Sequence, residues 1–402
     1  MAIEPFATRD FNSQIQRSLA KVYLGAATVG EVMAVAARIE DGNLTSWHAG
    51  WRALADDLAA RAERERAAGH RQSAFHLFLR AAESFRQAGF FHRVDLDCAE
   101  LQTSWPASAR CFQEAMALSP YPCEAVRVPF EGRALHACFM APERDAGPWP
   151  TLIVPSGYDG SVEESALMNG LPALARGYAV LALDGPGQGK TLYDPTTRAF
   201  MRPDYETAMG AALDYLVGRT EVDAGRIAAL GCSFGGFLVP RAAAVERRLA
   251  ALVADPGQYD IGAALLERLP PALLARLDDD DEDAVRAFEV LGATPDGALL
   301  FHPRMAAHGV ATVQAYCRHL RDFHNRDAAA RITCPSLICD NEIDVVSTGQ
   351  GRKLADAMIG CTVEFLHFTA AEGAGGHCEG MGREIFDERV YPWLDRTLRV
   401  ND

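Results

Sequence analysis

No apolar run in this sequence approaches the length of a membrane span, and the opening Met1-Ala2-Ile3-Glu4-Pro5-Phe6 has no basic segment leading into an apolar one. The first absence argues against a membrane helix and the second against a standard export signal, so a soluble protein is expected. Basic residues are also in short supply. Lys and Arg number 39 against 54 Asp and Glu, a net charge of -15, and such a field repels nucleic acid, anionic membrane surfaces and acidic polymers. The expected partner is therefore a small organic substrate. Ten cysteines are scattered with no C-x-x-C pair and no metal-ligand spacing. That pattern excludes a disulfide framework, suggests neither a metal nor a cofactor, and fits the reducing cytoplasm.

What the chain does have is length and apolar content. At 402 residues and 49% apolar it has material for one large domain and an appendage. From about 11 to 118 the apolar spacing is three and four, as in Trp47, Trp51, Leu54 and Leu58, then Ala74, Leu77, Phe78, Ala81 and Phe85, which predicts a helical N-terminal domain over 1–120. Residues 74–89 look like one helix of a tetratricopeptide-type hairpin. No second copy follows at a fixed period, so no solenoid is expected. From Ala125 the alternation of Val126, Val128 and Phe130 with Leu135, Ala137 and Phe139 around Glu131-Gly132 predicts a hairpin. After a turn-rich stretch at 141–150, apolar runs at 151–154, 179–183, 227–230, 251–254, 336–339 and 363–368 alternate with helical sequence. That rhythm predicts an α/β domain over 121–402, with a doubly wound, mostly parallel sheet covered on both faces. Helical sequence from about 259 to 330 interrupts it as a lid over the sheet's C-terminal edge.

The chemistry centres on Gly231-Cys232-Ser233-Phe234-Gly235-Gly236, placed between the apolar run 226–230 and helix-like sequence at 237–244. Strand, sharp turn and helix in that order form a nucleophile elbow, with Ser233 strained and its hydroxyl exposed. The glycines two before and two after it are expected where side chains would collide. Serine needs a base, and the base needs a carboxylate to hold its tautomer. In this architecture the acid and then the histidine follow the serine in the chain. The turn after strand 336–339 offers Asp344, with Asp340 and Glu342 as rivals. His377 lies in the glycine-rich loop Ala374-Gly375-Gly376-His377-Cys378-Glu379-Gly380 after the last predicted strand, whereas His367 falls in a strand and His319 and His324 in lid sequence.

Developing charge on the substrate oxygen must meet backbone N–H groups. Phe234, next to the nucleophile, is one expected donor. Tyr158, in the loop Ser156-Gly157-Tyr158-Asp159-Gly160, is the other, and Ser161 with Glu164 has capping-box spacing for a helix starting there. Glu267, in the first lid segment, is a candidate acid for protonating a leaving carbon. Two further features are bland. Gly185-Pro186-Gly187-Gln188-Gly189-Lys190-Thr191 is one residue short of a phosphate-binding loop, and the acidic run 278–283 reads as solvated.

The motifs G-Y-D-G, D-G-P-G-Q-G, G-C-S-F-G-G and A-E-G-A-G-G-H-C together resemble the α/β-hydrolase superfamily, in the branch of 2,6-dihydroxypseudooxynicotine hydrolase and the fungal polyketide-shortening hydrolases. The likeness covers about 120 to 398 well and the N-terminal domain more loosely. It implies Ser233 as nucleophile, Asp344 as acid, His377 as base, and Tyr158 and Phe234 as oxyanion donors. One departure is Asn341, where the acid loop of many such enzymes has glycine; Asn tolerates the left-handed conformation. The resemblance implies hydrolysis beside a carbonyl, with carbon-carbon cleavage of an aryl ketone or β-diketone-like molecule preferred. An esterase, lactonase, thioesterase or intramolecular acyl transferase is the alternative, and a receptor without catalysis fits least. A homodimer is compatible with the sequence, which leaves the oligomeric state open.

Overall fold

The computed structural model describes residues 3–143, 147–344, 346–380 and 382–400, so Met1, Ala2 and the middle of the turn-rich 141–150 stretch lie outside it. Five helices come first: α1 (Arg9–Leu19), α2 (Val29–Ala36), α3 (Leu44–Ala67), α4 (Arg71–Gly89) and α5 (Ala99–Leu118). Their apolar residues fall on one face. Trp47, Trp51, Ala55, Leu58 and Ala62 are the buried stripe of α3, whose start is capped by Asn43 accepting from the Ser46 amide at 3.0 Å.

Eight strands follow: β1 (Cys123–Phe130), β2 (Arg133–Met140), β3 (Trp149–Pro155), β4 (Ala179–Asp184), β5 (Val222–Cys232), β6 (Ala251–Asp255), β7 (Ser336–Asn341) and β8 (Val363–Phe368). Their order in one sheet is β1-β2-β4-β3-β5-β6-β7-β8. β1 and β2 form the expected hairpin, turning through Glu131 at φ 46° and Gly132 at φ 76°, the left-handed pair that matches strand twist. β2 meets β4 antiparallel, and from β4 through β8 every pairing is parallel. The lid lies between β6 and β7, built of helices Ile261–Leu266, Pro271–Leu274, Glu282–Gly292, Pro295–His308 and Val313–His319. Among the described residues no helix is long and apolar enough to cross a membrane.

Successive sheet residues point to opposite faces, and each face has its own core. On one side Leu152 and Val154 of β3 join Leu58, Phe78 and Phe112 of the N-terminal helices in a single cluster. On the other, Ile153 packs with Leu213 and Phe237. The helices Val162–Ser165, Leu171–Leu174 and Arg383–Leu398 lie against the first of these faces, and the N-terminal helices join the same core, with α5 reaching the edge strand β1.

Charge reinforces that junction. Lys21 Nζ lies 2.9 Å from Glu83 and 2.7 Å from Glu164, and Arg17 takes Glu164 through two nitrogens and Asp159 at 2.8 Å. Burial would raise the Glu164 carboxyl, but Arg17, Arg86 and Lys21 outweigh it and hold it well below its ordinary 4.5. The sign follows: this stabilisation is complete above the ordinary glutamate range and is lost as pH falls through the depressed value. Replacing Glu164 by leucine leaves buried Lys21 with Glu83 alone and half-buried Arg17 with Asp159 alone, and we expect a loss of about 3 kcal/mol in guanidinium unfolding. Asp56→Asn at the exposed Arg52–Asp56 pair is expected to cost no more than about 1 kcal/mol. Equal small losses would mean that the interface is held by packing alone.

Candidate active site

β5 ends at Cys232, and the chain turns through Ser233 at φ 57° into the helix Gly235–Ala243. A serine in the left-handed region is held there against its preference. Its amide donates to the Asp255 carbonyl at 2.7 Å, and its carbonyl accepts from the Gly236 amide at 2.8 Å and from Gln258 Nε2 at 2.9 Å. The glycine expectation is met at one position and corrected at another. A Cβ on Gly231 would stand 2.1 Å from the Gly235 carbonyl oxygen, and one on Gly236 would stand 2.0 Å from that of Pro256. On Gly235 it would meet nothing nearer than the Pro155 carbonyl at 3.7 Å, an ordinary contact. The turn therefore needs Gly231 because the first turn of the elbow helix lies over it, and Gly236 because that helix is pressed against the end of β6.

Ser233 Oγ lies 2.8 Å from His377 Nε2, and His377 Nδ1 lies 3.1 Å from Asp344 Oδ2. With the Nδ1 proton donated to the carboxylate, Nε2 is free to accept the serine hydroxyl proton. The Asp344 side chain is 0% exposed, and its other oxygen accepts from the amides of Val346 at 2.7 Å and Ser347 at 3.3 Å. Burial pushes that carboxyl up, but the hydrogen bond and charge of His377, with the two amides, hold it below its usual value. The rivals turn elsewhere. Asp340 faces His367 at 3.8 Å, and Glu342, at the surface, accepts from the Ala370 amide at 2.7 Å. Asn341 is extended at the end of β7, and the left-handed residue of this loop is Ile343 at φ 65°, 69% exposed. The strain expected at Asn341 is thus carried two residues later.

The loop after β3 runs beside the nucleophile: a Cβ on Gly157 would stand 3.4 Å from that of Ser233. The Tyr158 ring meets Phe234 edge-on at 4.8 Å. Neither the Tyr158 nor the Phe234 amide donates to another backbone group among the described residues. Ser161 caps the following helix, accepting from the Glu164 amide at 3.4 Å, while the Glu164 carboxylate goes to Arg17 and Lys21. A cavity of about 460 Å³ opens above Ser233 and His377, walled by Gln14 and Arg17 of α1 and by Leu265 and Arg304 of the lid. Glu267 is not in that wall. It sits exposed just past helix Ile261–Leu266, whose Ile261, Ala264 and Leu265 face the cavity instead. The expectation that it serves as a lid acid is therefore corrected by the direction of this helix.

Three ionisable groups beneath the elbow escaped the sequence reading, because Asp255 at the end of β6 meets Glu379 and Arg383 from the far end of the chain. Arg383, 2% exposed, donates to Asp255 at 2.7 Å, Glu379 at 2.9 Å and Asn169 at 2.6 Å, and lies 3.0 Å from Cys232 Sγ. Ligand atoms of Cys232, Asp255 and Cys378 lie within 4.8 Å of one another, but the guanidinium already supplies the positive charge that a metal would bring.

The family profile described as X-Pro dipeptidyl-peptidase (S15 family) matches residues 131–266. Hydrolase LUC6 of a Fusarium species is 29% identical over 98% of both chains. The 20-hydroxy-prefusarin hydrolase FUS2 of Gibberella moniliformis is 31% identical over 66% of this chain and 64% of its own. The crystal structure of 2,6-dihydroxy-pseudo-oxynicotine hydrolase superposes with a TM-score of 0.74, covering 94% of this chain and 95% of that one at 23% identity. The sheet order, the elbow and these likenesses agree: the chain belongs to the α/β-hydrolase superfamily and is similar over nearly its whole length to a fungal hydrolase.

Proposed function

We propose that this hydrolase works through an acyl-enzyme on Ser233. The observation that carries the reading is the chain of contacts from Ser233 to His377 to Asp344, at 2.8 and 3.1 Å, at the foot of the cavity. His377 takes the serine proton as Oγ attacks the substrate carbonyl carbon, and Asp344 steadies the imidazolium. The carbonyl oxygen becomes an oxyanion met by the amides of Tyr158 and Phe234. Collapse re-forms the carbonyl and breaks the bond to the leaving group, which takes the proton from His377. Water, activated by the same histidine, then releases the acid.

The resemblance to the branch of 2,6-dihydroxypseudooxynicotine hydrolase supports a ketone substrate whose leaving carbanion is delocalised by a carbonyl or an electron-rich ring. With Glu267 outside the cavity, the imidazolium of His377 is the acid that protonates the leaving carbon. The reaction run in deuterated water on an aryl ketone is expected to place deuterium on the carbon of the released fragment. An alcohol or thiol as the sole product, with no carbon-bound label, would replace carbon-carbon hydrolysis by ester or thioester cleavage.

A further inference from the structure

The lid touches the oxyanion loop through side chains that no motif marks. The Tyr158 hydroxyl is hydrogen-bonded to His308 Nε2, at the end of lid helix Pro295–His308. His308 Nδ1 lies 3.1 Å from His319 Nδ1, at the end of the next lid helix, Val313–His319. With the phenol as donor, one arrangement of protons satisfies all three groups. The phenol donates to Nε2, the His308 Nδ1–H donates to the bare Nδ1 of His319, and the His319 proton sits on its Nε2.

That arrangement needs a neutral His308. The ring is packed against Tyr316 at 5.0 Å, Phe323 at 5.1 Å and His319 at 4.9 Å. Burial, with His319 and Arg304 nearby, pushes it down to about 3, so it accepts throughout the neutral range. The loop's near side is held separately, with Gln188 Nε2 donating to the carbonyls of Ser156 and Gly157 and Arg17 holding Asp159. Tyr158 itself is held by its ring contact with Phe234, by Arg304 over the ring at 5.3 Å, and by a hydroxyl that bonds His308 with Tyr316 beside it.

We propose that His308 is a positioning residue: by holding the Tyr158 hydroxyl it keeps the Tyr158 amide aimed at the oxyanion, so the lid sets the geometry of that donor. This rests on the acyl-enzyme reading above. His308 lies behind Tyr158 and does not line the cavity, so its loss should slow the reaction and leave affinity alone.

Inactivation of the full-length enzyme by a fluorophosphonate, whose phosphonyl oxygen occupies the oxyanion position, separates the two as kinact and KI. For His308→Leu we expect kinact to fall by about 10- to 100-fold with KI near that of the wild type, as for a displaced oxyanion donor. His308→Gln keeps an acceptor near the position of Nε2 and should recover most of the rate. Tyr158→Phe should be at least as slow as His308→Leu, because it also ends the approach of the hydroxyl to Tyr316, and the double variant should be no slower than Tyr158→Phe. An unchanged kinact in His308→Leu, a change confined to KI, or losses that multiply in the double variant would each overturn the proposal. If His308→Leu does not fold, Tyr158→Phe decides, and wild-type kinact there overturns it. A wild-type enzyme that resists the probe overturns the Ser233 reading itself, and the positioning role with it.

Discussion

Ser233→Ala is expected to lower hydrolysis of p-nitrophenyl acetate by about 10⁴- to 10⁶-fold and to abolish fluorophosphonate labelling. The size follows from how nucleophile and base depend on each other. His377 has no proton to take without the Ser233 hydroxyl, and what remains is the oxyanion site acting on water. The substitution should leave the fold intact. The backbone of Ser233 is held by the Asp255 carbonyl, the Gly236 amide and Gln258, none of which uses Oγ, and alanine is a smaller side chain in the same place. Labelling that survives would assign the chemistry to another group. Cys232 is the nearest one, but its sulfur is already engaged with Arg383 and Asp255.

Asp344→Asn should cost about 10³- to 10⁴-fold in turnover with little change in KM. The asparagine amide, rotated to donate to His377 Nδ1, would force the imidazole proton onto Nε2, where it blocks acceptance from Ser233. Asp340→Asn and Glu342→Gln are the controls and should keep activity, since Asp340 faces His367 and Glu342 accepts from the Ala370 amide. A dead Asp340→Asn with an active Asp344→Asn would move the acid to the strand end. The environment of Asp344 adds a pH expectation. Because His377 and the two amides hold its carboxyl below the usual 3.8, it stays ionised as the solution is acidified, and loss of activity between neutral pH and that point reports a group other than Asp344.

The sequence by itself determined the parts of this protein that depend on short stretches of chain. Alternating and continuous apolar runs marked all eight strands, because a strand's burial pattern is written in successive residues, and the Glu131-Gly132 turn marked the hairpin in the same way. Ser233 was legible because an elbow requires a particular strand, turn and helix within a dozen residues. His377 and Asp344 were legible by their order and by the ends of strands they follow. Tertiary structure decided what depends on which surfaces meet. Gly236 rather than Gly235 is the constrained position because β6 runs beside the elbow helix. Glu267 falls outside the cavity because helix Ile261–Leu266 turns Ala264 and Leu265 inward. Glu164 binds Arg17 and Lys21 instead of its own helix because α1 and the turn after it pack beside that helix. The contact of His308 with Tyr158 joins residues 150 positions apart. Such contacts have no periodicity and no fixed spacing, since they are set by how a lid and a layer of helices dock on the sheet, and docking is decided by the summed packing of whole surfaces.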